Sequence, residues 1–162
     1  MKATRGFTLI ELLIVIALLG ALAVGLLAAI DPFEQLKKGR DTSTRNTLSE
    51  FYNANLRYYS TKSRFPWGDV TQGGVQMGDL ATYVNILQDA GELKANFMAL
   101  SQSATGAIYL SSTGGEDLHT CFKPESKGFQ IDPNTIYTQT GAPDSGCKSL
   151  SSGGHTCYYC IQ

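Results

Sequence analysis

Four cysteines, Cys121, Cys147, Cys157 and Cys160, fall within the last 42 of the 162 residues, with His119 and His155 each two residues from one of them. Three chemistries suit that set. An even count of cysteines in a loop-rich segment outside the cytoplasm favours two disulfides, for which three connectivities are open. Each would contribute roughly 3 kcal/mol by constraining the unfolded chain. The run His155-Thr156-Cys157-Tyr158-Tyr159-Cys160, joined by Cys147 or Cys121, could instead hold zinc, and a Cys-x-x-Cys pair also occurs in thiol redox sites. Glu116, Asp117, Asp132 and Asp144 could supply carboxylates to calcium, but their spacing matches no calcium loop. The sequence contains no HExxH, GxSxG, P-loop or dinucleotide fingerprint. It therefore predicts no enzyme and no cofactor.

The other chemically conspicuous residue lies at the opposite end. Glu11 interrupts an apolar stretch, with Phe7-Thr8-Leu9-Ile10 before it and nineteen residues without a charge, 12–30, after it. As a helix that run spans about 29 Å, the thickness of a bilayer's hydrocarbon core. It exceeds the apolar region of an ordinary secretory signal and is followed by Asp31-Pro32-Phe33-Glu34 rather than a small-residue cleavage site, so it predicts a retained membrane helix. An ionised carboxylate at the membrane centre costs roughly 2.5–3.5 kcal/mol, which requires Glu11 to lie near an interface or to be paired. Cleavage between Gly6 and Phe7 would free a cation beside it.

The run Arg5-Gly6-Phe7-Thr8-Leu9-Ile10-Glu11-Leu12-Leu13-Ile14-Val15-Ile16-Ala17 resembles the prepilin signature of type IV pilins and type II secretion pseudopilins. The resemblance implies that a prepilin peptidase cuts after Gly6 on the cytoplasmic side and methylates the new amine of Phe7. It also makes Glu11 the family's assembly glutamate. A neighbouring chain's Glu11 could then pair with that amine, each offsetting the other's desolvation. Gly20, Ala21, Ala23, Gly25, Ala28 and Ala29 would permit close approach of helices in a filament core. Basic residues flank the span on both sides, Lys2 and Arg5 before it and Lys37, Lys38, Arg40 and Arg45 after it, leaving orientation ambiguous by charge. The cysteines and the implied cytoplasmic cleavage favour an inside N-terminus and an outside head. Many pilins carry a proline within the membrane half of the helix; here the first proline, Pro32, lies beyond it.

The elements that must carry these residues follow from spacing. Asp31, Pro32 and Glu34 form a helix start with Asp31 as N-cap, predicting a kink or short break nearby. Leu36, Leu48, Phe51, Tyr52, Leu56 and Tyr59 recur largely at three- and four-residue intervals and predict an amphipathic helix that holds the head. Tyr58-Tyr59-Ser60-Thr61-Lys62-Ser63-Arg64-Phe65-Pro66 resembles the way pilins and pseudopilins end their long helix. Residues 77–90 predict a further helix ending near Gly91, which 93–100 could extend or follow with another turn. Short apolar pieces at 107–110, 118–122, 128–131, 136–138 and 156–161 predict strands, and 111–115 and 149–154 predict loops.

The expected fold is α+β: a long N-terminal helix, membrane half plus amphipathic half, packed on a small antiparallel sheet. The organisation is a leader at 1–6, a transmembrane or filament-core helix at 7–30, an amphipathic helix at 31–60 and a head at 61–162. A net charge of −1 excludes no partner by itself, but six Lys and Arg against nine Asp and Glu from residue 61 onward oppose a phosphate-tracking nucleic-acid surface. The resemblance implies a structural subunit of a type IV pilus-like filament. Its partners would be the membrane, copies of itself or related pilins, the prepilin peptidase and, indirectly, a platform protein and an ATPase. A pseudopilin of a type II secretion system is the alternative; such rods often carry a calcium loop where this chain has cysteines. A membrane-tethered metal or redox protein is the third reading.

Overall fold

A computed structural model describes residues 6–29, 31–69, 71–113, 115, 117–144, 146, 147 and 156–162. The leader residues 1–5, together with Ile30, Glu116, His155 and the expected loop at 149–154, lie outside the described residues. The chain forms two compact units, residues 1–36 and 37–162.

The first unit contains α1 (Leu9–Ala29), apolar except for Glu11 in its first turn. The 19 residues Leu9–Leu27 are long and apolar enough to cross a membrane, and no side chain among them is buried within the chain. A helix hydrophobic all round finds its burial in lipid or against other chains. The second helix, α2 (Pro32–Lys62), is separate from it. Its start follows the expectation: Asp31 Oδ1 accepts hydrogen bonds from the backbone N–H groups of Phe33 (3.1 Å) and Glu34 (3.2 Å).

In the second unit, residues Asp41, Leu48, Phe51, Ala54, Asn55 and Tyr58 form the buried stripe of α2. This corrects the expected one. Leu36, Leu56 and Tyr59 are exposed, because a 3.6-residue period from Phe51 reaches Ala54, Asn55 and Tyr58, and the larger apolar residues lie just off that line. Ser63, in the left-handed region (φ 54°), terminates α2 by donating its N–H to Tyr59 O at 2.7 Å. The tyrosine, turn and aromatic pattern then builds an aromatic row. Tyr59 packs on Phe65 (4.7 Å between ring centroids), Phe65 stacks on Trp67 (5.0 Å), and Trp67 meets the edge of Tyr83 (5.9 Å).

The chain continues through β1 (Gln72–Gln76), a 3-10 turn (Met77–Leu80), α3 (Ala81–Asp89), α4 (Phe97–Leu100), α5 (Gln102–Thr105), β2 (Ile108–Ser112), β3 (His119–Phe122), α6 (Lys127–Gln130), β4 (Thr135–Tyr137) and β5 (Tyr158–Ile161). The five strands form one antiparallel sheet in the order β1-β2-β3-β5-β4. The alternation of a pleated strand puts Ile108, Leu110, Phe122 and Tyr159 on the face that joins Leu48, Phe51, Val84 and Leu87 in one core.

The fold is thus α+β, consistent with a pilin-like architecture. Two local expectations change, and one strand has no counterpart among the expected elements. Residues 128–131 form no strand; α6 starts just before them, because Ser126 caps that turn by accepting from Phe129 N (3.4 Å). Ser111 and Ser112 extend β2 instead of opening a loop, and β1 is a strand with a single apolar residue, Val75.

Candidate functional site

Gly6 and Phe7 precede α1 without regular structure, and both are exposed. Thr8 and Glu11 form the helix start. Glu11 Oε2 accepts from the Thr8 backbone N–H at 2.8 Å and from the Thr8 hydroxyl at 2.7 Å, while Thr8 Oγ1 accepts from Glu11 N at 3.3 Å. This is a reciprocal capping box, in which a Thr and a Glu three residues apart satisfy donors that the first helical turn leaves open. Glu11 therefore has a local partner on its own chain. Its second oxygen, Oε1, has no partner among the described residues. The arrangement fixes the carboxylate four residues from Phe7 and leaves one oxygen for a cation from elsewhere.

At the C-terminal end the four cysteines form two disulfides, Cys121–Cys160 and Cys147–Cys157, and no cysteine is free. Cys121 and Cys160 face one another across the β3–β5 pair, with Cα atoms 4.1 Å apart. The Cys-x-x-Cys residues thus belong to different bridges, and no thiolate remains for zinc or for dithiol chemistry. Among the described residues no group of three His, Cys, Asp or Glu side chains could hold a metal ion. Asp132 Oδ1 instead accepts from Asn134 N (2.9 Å), and Asp144 Oδ1 from Gly146 N (2.9 Å), each a turn-forming bond.

His119 lies at the start of β3 beneath Gly141, which adopts φ +83°. A Cβ on Gly141 would stand 2.6 Å from His119 Cβ and Cγ, so only glycine fits there. Among the described residues, His119 Nδ1 is buried without a hydrogen-bond partner. The sheet face carrying His119, Ser111 and Cys121 is covered in part by residues 138–142, where Ser111 Oγ donates to Thr140 O at 2.5 Å.

One cluster has no counterpart in the sequence reading. Buried Asp41 accepts three hydrogen bonds: from Glu125 N at Oδ1 (3.0 Å), and from Ser126 N (2.7 Å) and Ser126 Oγ (2.6 Å) at Oδ2. Beside it Arg40 donates through Nη2 (2.5 Å) and Nε (3.2 Å) to Glu125 Oε2. The available signal was Asp41 itself, a carboxylate seven residues before Leu48 on the buried stripe of α2.

Among the described residues, one apolar helix long enough to cross a membrane, with a capping glutamate in its first turn, precedes a disulfide-bonded α+β unit, an arrangement consistent with a pilin-like fold. The chain carries, at residues 1–27, the prokaryotic N-terminal methylation motif, which is the type IV pilin and pseudopilin signature. No solved structure matches the chain.

Proposed function

We propose that this chain is a structural subunit of a type IV pilus-like filament. A prepilin peptidase cleaves it after Gly6 and methylates Phe7. It is held in the cytoplasmic membrane by α1 with the head outside the cytoplasm, and it enters the filament through that helix. The observation that carries this reading is the Thr8–Glu11 capping box at the head of a wholly uncovered apolar helix. The bond to Thr8 orients the carboxylate, and Oε1 is the oxygen that would receive the Phe7 amine of the next subunit, neutralising both charges in a low-dielectric core. Copies of the chain, or related pilins, would then bury the apolar helices against one another. A platform protein and an ATPase would supply the work of extraction.

Intact mass of the membrane-extracted or sheared protein, with N-terminal peptide sequencing, tests the processing. The expected chain begins with methylated Phe7 and gains two hydrogens for each of two disulfides on reduction; a chain that keeps Met1 overturns the proposal. Glu11→Ala tests assembly. Fibres should be lost while the head keeps its denaturation midpoint, and unchanged fibres would refute the pairing. The methylation signature is shared with secretion pseudopilins. A subunit confined to a short periplasmic rod, absent from sheared fibres, would favour that role.

A further inference from the structure

Residues 37–162 contain eleven Lys and Arg and eleven Asp and Glu, so this unit is neutral overall. The neutrality is not uniform. The two segments 37–45 and 123–132 hold six of the cations (Lys37, Lys38, Arg40, Arg45, Lys123 and Lys127) and three of the acids (Asp41, Glu125 and Asp132), a balance of +3. The remainder of the unit carries five cations and eight acids, a balance of −3.

The fold brings those two segments together. Asp41 spends its carboxylate on the backbone of Glu125 and Ser126, and Arg40 binds Glu125, which fixes the 123–127 segment on the first turns of α2. Lys38 and Arg45 from α2 line one groove with Gly128, Phe129 and Asp132 from the α6 region. Lys38, Arg40, Arg45, Lys123 and Lys127 are exposed. At the end of α6 stands Ile131, 79% exposed and the most exposed large hydrophobic side chain described in this unit. An exposed isoleucine carried by a segment that, with the start of α2, holds a net charge of +3 is the composition of a surface that binds the interface of an anionic membrane, where each basic residue contributes attraction and the apolar group enters the headgroup layer.

We infer that this surface docks on anionic phospholipid headgroups of the membrane in which the chain is anchored, holding the head against the bilayer before the subunit leaves it. The inference rests on the membrane anchoring of the proposed function. Connectivity supports it: Lys38 follows Leu27, the last residue of the apolar span, by eleven residues. Even fully extended, that tether reaches about 40 Å. It keeps the basic surface at a high effective concentration next to the headgroups, so a net charge of only +3 suffices for a reversible contact. Nucleic acid is the competing polyanion, but the −3 balance over the rest of the unit opposes a phosphate-tracking surface.

The test is hydrogen–deuterium exchange of the full chain, one copy per nanodisc, in phosphatidylcholine alone and in phosphatidylcholine mixed with phosphatidylglycerol. Exchange of the 123–132 segment should slow several-fold in the anionic discs only. The slowing should vanish at 1 M salt, where the screening length falls to about 3 Å, and in Lys123→Glu/Lys127→Glu. It should weaken in Ile131→Ser, a separate variant that leaves every charge in place. Equal exchange in the two lipids, slowing that survives the double reversal, or protection only with several copies per disc or with added DNA would overturn the inference. Protease protection of α1 in the same discs separates the two levels: an unprotected α1 removes the anchoring and this inference with it, whereas a protected α1 with an indifferent 123–132 segment overturns this inference alone.

Discussion

Asp41 and Ser126, 85 positions apart in sequence, are joined through a single carboxylate oxygen that accepts both the backbone N–H and the hydroxyl of the serine, at 2.7 and 2.6 Å. Both residues are buried, so neither the acceptor nor the donors could turn to water if the other were removed. Asp41→Ala strands the N–H groups of Glu125 and Ser126 and the Ser126 hydroxyl. It should cost about 3 kcal/mol, in the range for a buried network deprived of its acceptor. Ser126→Ala removes only one donor and a long capping contact to Phe129, and should cost about 1 kcal/mol. Denaturant unfolding of the full chain in detergent, followed by the fluorescence of the single, buried Trp67, gives both numbers. Equal losses would mean that the carboxylate is not the centre of the cluster.

The two disulfides close loops of different length, with partners 39 and 10 residues apart. On the chain-entropy account, Cys121→Ala/Cys160→Ala should therefore lose about 4 kcal/mol and Cys147→Ala/Cys157→Ala about 3 kcal/mol. The first pair also ties β3 to β5 at the centre of the sheet order, so its loss should speed exchange of backbone amides in both strands. The same denaturation measurement, combined with exchange mapping, checks the order. A larger loss from the 147–157 pair would show that the segment it closes contributes more than its length.

The parts of this molecule that sequence revealed are those in which one residue's chemistry fixes its surroundings. A long uncharged run can only be an apolar helix, Asp31-Pro32 can only open one well, and Glu11 stands out because it is the one charged residue between Arg5 and Asp31. What escaped depends on partners distant in the chain. Residues 128–131 have strand-like composition, yet Ser126, itself positioned by Asp41, starts a helical turn there. β1 has the sequence Gln-Gly-Gly-Val-Gln and exists because β2 offers it a free edge. On α2, Ala54 and Asn55 occupy the buried line that Leu56 was expected to mark, and no local rule favours an asparagine there; its Nδ2 donates to Phe51 O at 2.8 Å. Of the disulfides, sequence counted the cysteines, but only the register of β3 against β5 selects Cys121–Cys160. The basic surface at 37–45 and 123–132 was hidden for the same reason, since neither segment alone shows what Asp41 joins.

Alkaline pH offers a test of the sheet's other face. Tyr158 meets the edge of Tyr109 at 5.8 Å between centroids, and burial, followed by the charge of a Tyr109 phenolate, pushes its phenol above the ordinary tyrosine value. Burial also raises Tyr52. Because the unfolded chain releases these protons first, their contribution to stability is complete below about pH 10 and falls as the pH rises towards the folded-state values. Tyr158→Phe, which cannot ionise, should flatten that decline. Denaturation midpoints of parent and variant, measured from pH 8 upward, should diverge only above the ordinary tyrosine value. Parallel curves across the range would mean that Tyr158 titrates like an exposed tyrosine.

Gly141 and His119 allow a contact to be separated from a backbone preference. At Gly141, alanine meets two obstacles: φ +83°, which L residues adopt at a cost of about 1 kcal/mol or more, and an imidazole whose Cβ and Cγ lie 2.6 Å from the new methyl. The histidine stands on a paired strand opposite Ser111 and cannot retreat without disturbing that ladder, so Gly141→Ala should displace the 138–142 segment and its Thr140 bond to Ser111. In a His119→Gly background, which removes Cβ and Cγ together, the steric part disappears and only the backbone part remains. The double-mutant cycle should therefore show a favourable coupling of about 1 kcal/mol or more between the two substitutions. Additive losses would assign the whole cost to the left-handed backbone and leave the packing of His119 beneath Gly141 without energetic weight.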